Sequence, residues 1–312
     1  MIKKYPGDGV FLFILLIINA LSCDTPAKQE KKYLFLGHPY NWKMPDEVDP
    51  RLEKLNYASF DQIWLGGDVC SQTTKKESTL NYLDSLFDLG ATTTHWTLGN
   101  HDIQNGHVNW ITERTKRPTF YSDWLDGICL LVLNTNLFWY YDGNPSQVDC
   151  KEKIEQLNLI QSVLDTISSA SHLVILHHHG LFCDLMKDEE GNPLDRFNVN
   201  APNVRMTCDS SSFLTQRLYP QLEKVKKNNI EVILIGGDFG MRAKELAYKT
   251  PEGIWLLGSG INNSVSRSNV PDYVTTLDPD KVLVVNYQPV TQNLSWEFIE
   301  LNTLIDLPES ED

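Results

Sequence analysis

The chain has 312 residues, 41% apolar and 10% aromatic, enough to bury a large core and too apolar for a disordered chain. Its 27 Lys and Arg against 41 Asp and Glu give a net charge of −14, which excludes a general nucleic-acid binder because such a surface repels phosphate backbones. Six cysteines in this length exclude a disulfide scaffold.

The opening has the pattern of a targeting segment. Lys3 and Lys4 precede an apolar run over residues 10–21, broken only by Asn19, which is an h-region length and well short of the ~20 residues that cross a bilayer. A secretory signal and a buried core helix are alternatives. The favoured reading is that Ala20-Leu21-Ser22-Cys23 resembles a bacterial lipoprotein cleavage site. Residues 1–22 are then a signal peptide, Cys23 carries the lipid anchor, and residues 23–32 are a polar tether. This reading implies an exported protein of the cell envelope. One disulfide among the remaining cysteines is compatible with export, with the pairing left open.

From residue 33 onward, β-branched and aromatic runs alternate with amphipathic stretches. Strands are expected at 33–36, 62–65, 93–98, 128–133, 173–176, 231–235, 253–257, 281–285 and 294–299. Helices are expected at 79–89, 151–169 and 213–227, with Ile154, Leu157, Ile160, Leu164 and Ile167 on one face of the middle one. This order predicts one α/β domain over 33–305, a long polar loop over 183–212 and a frayed acidic tail over 306–312.

Polar clusters follow five of the strands: Gly37-His38-Pro39-Tyr40, Gly66-Gly67-Asp68, Gly99-Asn100-His101-Asp102, His177-His178-His179-Gly180 and Gly236-Gly237-Asp238-Phe239-Gly240. Strand ends gather along one edge of an α/β sheet, where ligands bind. Each cluster alone is also a good turn sequence. Together their His, Asp and Asn side chains form a potential metal-ligand set.

Asp68 in Gly-Gly-Asp, then Gly-Asn-His-Asp some thirty residues on, then a histidine cluster closing a strand, resembles the calcineurin-like metallophosphoesterase superfamily. The resemblance implies a sandwich of two mixed sheets flanked by helices in four layers, with two divalent metals at the strand ends. It implies that Asp68 bridges both metals. Asn100 and His177, or with less support His178, would be ligands of the second. His101 would be the general acid or transition-state contact, oriented by Asp102. Two departures stand out: Leu36 occupies the Asp position of the family's Asp-x-His motif, and Asp238 and Gly240 occupy the histidine positions of its Gly-His-x-His motif. The second metal keeps Asp68, Asn100, His177 and Asp238, whereas the first keeps Asp68 and His38. The carboxylate of Asp238 in place of an imidazole shifts preference toward Mn²⁺, Mg²⁺ or Fe²⁺ and away from purely nitrogen-rich zinc chemistry, with Zn²⁺ the alternative and one or two ions per chain.

The implied activity is hydrolysis of a small phosphate monoester or diester. A degenerate member that keeps the fold and binds a metal or ligand without turnover is the rival. Asp238-Phe239-Gly240 lacks the companion motifs of a kinase, and Gly258-Ser259-Gly260 lacks those of a nucleotide fold. Asn262, Asn263, Trp42 and the aromatic run 138–141 are candidates for the rim of the cleft.

Overall fold

The computed structural model describes residues 29–138, 147–182, 185–187, 190–191, 214–239, 244–261 and 279–305. The expected leader, Cys23 and acidic tail lie outside these residues, as do Asn262, Asn263, Gly240, residues 139–141 and most of the expected 183–212 loop. No helix of the described residues is long and apolar enough to cross a membrane.

Eleven described strands form two sheets. The first holds β1 (Lys31–Leu36), β2 (Gln62–Leu65), β3 (Thr94–Trp96), β10 (Lys281–Gln288) and β11 (Asn293–Glu300), in the order β11-β10-β1-β2-β3. Its β1, β2 and β3 run parallel, and β10 pairs antiparallel with both β1 and β11. The second holds β4 (Tyr121–Leu125), β5 (Ile128–Val132), β6 (His172–His177), β7 (Glu231–Gly236), β8 (Glu245–Lys249) and β9 (Trp255–Ser259), in the order β4-β5-β6-β7-β9-β8. Here β5, β6, β7 and β9 are parallel, with antiparallel strands at both edges.

Strand alternation decides the layers. Tyr33 and Phe35 of β1, Trp64 of β2, Val174 and Leu176 of β6, and Ile233 and Ile235 of β7 pack between the sheets. The intervening Leu34, Leu36, Ile63 and Leu65 face outward onto α1 (Glu77–Phe87) and α3 (Val108–Thr115). Leu173, Ile175, Val232 and Leu234 face outward onto α4 (Gln147–Thr166) and α5 (Leu214–Lys227). The result is the four-layer sandwich that the family resemblance implied.

The apolar face predicted for the middle helix is corrected at its N-terminal end. Ile154 is 48% exposed, while Gln156 and Lys153 are buried one and two turns before Ile160. Gln156 is inside because its amide closes a backbone gap: Oε1 accepts from Asn134 N–H (2.7 Å) and Nε2 donates to Asn134 O (3.1 Å). Lys153 lies with its ammonium 5.5 Å from the Phe138 ring. Cys70 and Cys129 are free and buried, and Cys150 is disulfide-bonded.

One buried histidine makes the fold acid-sensitive. His95 of β3 is fully buried with its Nδ1 on the Tyr121 hydroxyl (3.1 Å), and burial, then the Arg117 charge, lowers its pKa from 6.5 to about 3. The folded value is below the unfolded one, so the unfolded chain binds the proton first. The contribution is complete above pH 7 and is lost as pH falls from about 6.5 toward 3. Between pH 7 and pH 5 this group alone costs roughly 2 kcal/mol. Urea unfolding across that range should therefore show a steeper loss for the wild type than for His95→Gln, and parallel curves would refute the assignment.

Candidate active site

The carboxyl ends of β1, β2, β3, β6, β7 and β9 meet along one edge of the sandwich, and the turns that follow carry the predicted polar residues. These turns approach unusually closely. A Cβ on Gly237 would lie 1.7 Å from Gly66 O, and one on Gly99 would lie 2.1 Å from Asp68 Oδ1. The turns after β2 and β7 therefore touch backbone to backbone, joining the two sheets beneath the site. Gly237→Ala should cost about 3 kcal/mol through forced displacement of that turn, measured as a lowered denaturant midpoint; an unchanged midpoint would show that the contact is not tight.

Asp68 is the centre of the arrangement. It is buried, and its backbone lies in the left-handed region (φ 51°), as does that of His38 (φ 52°). Non-glycine residues held there mark a conformation fixed by their surroundings. Asp68 Oδ1 accepts the His101 backbone N–H at 2.8 Å. Its Oδ2 faces two imidazoles, with His178 Nε2 at 3.3 Å and His38 Nε2 at 3.4 Å. Burial alone would raise the Asp68 carboxyl, but the His178 and His38 imidazoles hold it well below the ordinary range.

Of the three consecutive histidines, the structure brings His178 to Asp68, whereas the sequence reading puts His177 before His178. The reason is strand parity: Val174 and Leu176 face the inter-sheet core and His178 continues that face, while His177 continues the face of Leu173 and Ile175 toward the helices. There the His177 ring meets Phe239 edge-on (6.3 Å), its Nδ1 bonds His179 O (2.8 Å), and burial lowers its pKa to about 4. His179 is held by Thr135, whose hydroxyl is 2.8 Å from its Nδ1. His178 Nδ1 donates to Gly66 O (2.8 Å), which fixes the tautomer and leaves Nε2 facing Asp68. Against the cost of burial, the Asp68 carboxylate and then Asp238 raise His178 to about 10. Asp238 follows directly, its backbone N–H donating to His178 O at 2.9 Å. Burial pushes its carboxyl up to about 6 against the pull of His178 and His38.

Asn100 opens the short helix α2 (Asn100–Ile103) between Gly99 and His101, both packed on Asp68 Oδ1. The expected pairing of Asp102 with His101 is not observed. Asp102 is fully buried and its oxygens accept from Asp68 N–H (2.8 Å), Val69 N–H (3.0 Å), Gly99 N–H (2.8 Å), the Thr73 hydroxyl (2.7 Å) and Trp96 Nε1–H (3.2 Å). It acts on the backbones of both motif turns. Burial and the Asp68 charge push its carboxyl up to about 6, so it is still an anion at neutral pH. The His101 ring is oriented instead by Ser71 O, 2.9 Å from its Nδ1, and the Gln104 amide donates to the same oxygen. Tyr40 stands 5.5 Å from the His101 ring and 4.4 Å from that of His38, and Trp42 is 5.0 Å beyond Tyr40. Sequence reading missed Ser71, Thr73 and Gln104, which lie outside any motif.

The donors suit a divalent ion on the His178 side. Two ligands each about 2.1 Å from one ion and 90–110° apart lie about 3.0–3.4 Å from each other, and Asp68 Oδ2 and His178 Nε2 are 3.3 Å apart. That nitrogen is buried with no hydrogen-bond partner. Among the described residues no group of three or more His, Cys, Asp or Glu side chains is placed to hold a metal ion by itself. A site here therefore also needs the amide of Asn100 or solvent.

The chain belongs to the calcineurin-like phosphoesterase family, whose pattern it matches over residues 41–207. Members of this family use divalent metal ions. The chain is 41% identical over 73 residues to a symmetrical bis(5'-nucleosyl)-tetraphosphatase of Vibrio campbellii, a match spanning 23% of this chain and 25% of that enzyme. Among solved structures it resembles GAP50, described as the anchor in the inner membrane complex of Plasmodium, with a TM-score of 0.53 and 9% identity over 88% of this chain and 85% of that one. That likeness is one of fold.

Proposed function

We propose that the chain hydrolyses a small phosphoric ester, monoester or diester, at the Asp68 face with a divalent ion. The observation that carries the reading is the placement of Asp68 Oδ2 between His178 Nε2 and His38 Nε2, with His101 secured to the same carboxylate through its backbone. Asp68, His178, Asn100 and Asp238 would hold the ion. The chemistry such an ion supplies is activation of water and neutralisation of phosphate charge, the latter needed against a net charge of −14.

The chain's own groups do the rest. His101 has Nδ1–H committed to Ser71 O, so the imidazolium form gives its Nε2 proton to the departing ester oxygen and is left as the neutral Nδ1–H ring. His38 holds the second flank of Asp68 Oδ2. Asp102 is a positioning residue that fixes the turns bearing Asp68 and Asn100. The Vibrio relative makes nucleoside polyphosphates a substrate class to include. The test is release of nitrophenol from p-nitrophenyl phosphate and bis-p-nitrophenyl phosphate, with Mn²⁺ and after chelation. Mn²⁺-dependent release supports the reading and separates monoester from diester. An ion-loaded chain inert to both esters and to diadenosine tetraphosphate supports the binding-protein alternative, which Leu36 in place of a carboxylate favours.

Export with a lipid on Cys23 is a further part of the proposal. It is supported by the basic start, the apolar run and the small residues before Cys23. Labelled palmitate incorporated by the wild type and equally by Cys23→Ser would contradict it.

A further inference from the structure

We infer that this chain binds one divalent ion, on the His178 side of Asp68, rather than a bridged pair. Asp68 Oδ2 divides the site into two halves, each with one imidazole: His178 at 3.3 Å and His38 at 3.4 Å. The halves differ in what else they contain.

On the His178 side the turns around the pair are held. His178 Nε2 is aimed at Asp68 by the bond from Nδ1 to Gly66 O. Asp238 is tied to the same strand end through its bond to His178 O, and Asn100 is carried by a turn pressed on Asp68 Oδ1. Two carboxylates, Asp68 and Asp238, balance the charge of one divalent ion.

On the His38 side the described residues offer less. Leu36, two residues before His38, is fully buried in an apolar cluster with Val69, Cys70 and Leu98. Residue 240 is glycine and offers no donor side chain. The ring neighbours of His38 are Tyr40 at 4.4 Å, Trp42 at 6.2 Å and His178 at 6.4 Å. Among the described residues that leaves one imidazole and an oxygen already shared with the other half. A second divalent ion there would bring two positive charges with no further carboxylate among the described residues to offset them, beside a first ion already neutralised. Two protein ligands do not hold such an ion tightly. His38 is accordingly a positioning residue for Asp68, not the anchor of a second metal.

This inference takes from the phosphoesterase reading only that the Asp68 face is a metal site, and it is tested by a count rather than by turnover. The full chain, stripped with chelator, is dialysed against Mn²⁺ and the bound metal is measured by mass spectrometry. One ion per chain is expected, with His38→Ala still binding one. His178→Ala should weaken binding at least 100-fold. Two ions per wild-type chain, none, or loss of the ion in folded His38→Ala would each overturn the inference. The wild-type count needs no variant, so it stands whatever His178→Ala does to folding. One ion without turnover would contradict the proposed function and leave this inference intact; turnover with two ions would do the reverse.

Discussion

Asp102→Ala should lower the stability of the chain by on the order of 5 kcal/mol, a large part of the 5–15 kcal/mol of a typical domain. The residue looks catalytic in the sequence because it completes Gly-Asn-His-Asp, yet its carboxylate is spent on five donors from the turns after β2 and β3. Removing it strands three backbone N–H groups and an indole N–H in the buried interior, each costing about 1–3 kcal/mol, while the Thr73 hydroxyl keeps Cys70 O as an acceptor. Asp102→Asn keeps the volume but turns one N–H toward those donors, so it should lose about half as much. Urea denaturation of the two variants checks this. A variant that keeps wild-type stability and loses only activity would restore the orienting role that the geometry denies.

His101→Ala should have the opposite signature. Its ring is partly exposed at the mouth of the site, and its contribution to Asp68 comes through backbone N–H, which alanine retains. Stability and Mn²⁺ binding should therefore stay near wild type while kcat falls about 10²–10⁴-fold, the usual worth of a general acid. The loss should be smaller for esters of good leaving groups, such as nitrophenol, than for alkyl esters, because a good leaving group needs little protonation. An equal loss for both would place His101 in binding rather than proton transfer.

The contrast between these residues shows what the sequence made legible. The strand centres were visible because Leu173–Leu176 and Val232–Ile235 are continuous apolar runs in strands buried on both faces. The two strands left unpredicted, β4 and β8, are the edges of the second sheet. Their sequences, Tyr-Ser-Asp-Trp-Leu and Glu-Leu-Ala-Tyr-Lys, are half polar because one side is solvated. Lys153 and Gln156 misled the helix reading for a related reason: a polar residue can face inward when one local bond satisfies it.

At the site, the motifs located Asp68, Asn100, His38 and Asp238 on converging turns. The choice between His177 and His178 required knowing that Leu176 faces the inter-sheet core, which follows from layer packing and not from motif spacing. Ser71, which sets the His101 ring, and Gln104, which donates to the same oxygen, come from segments with no pattern of their own. The contact of Gly66 with Gly237 joins turns far apart in the chain, and only the packed sandwich reveals it.

The most direct measurement of the account is ester hydrolysis by the Mn²⁺-loaded full chain beside Asp68→Asn, both first shown to be folded by circular dichroism. The account predicts turnover in the wild type, its removal by chelation, and a loss of at least 10³-fold in Asp68→Asn. Equal turnover in the two proteins, or turnover that persists without metal, would contradict the assignment of catalysis to the Asp68 face.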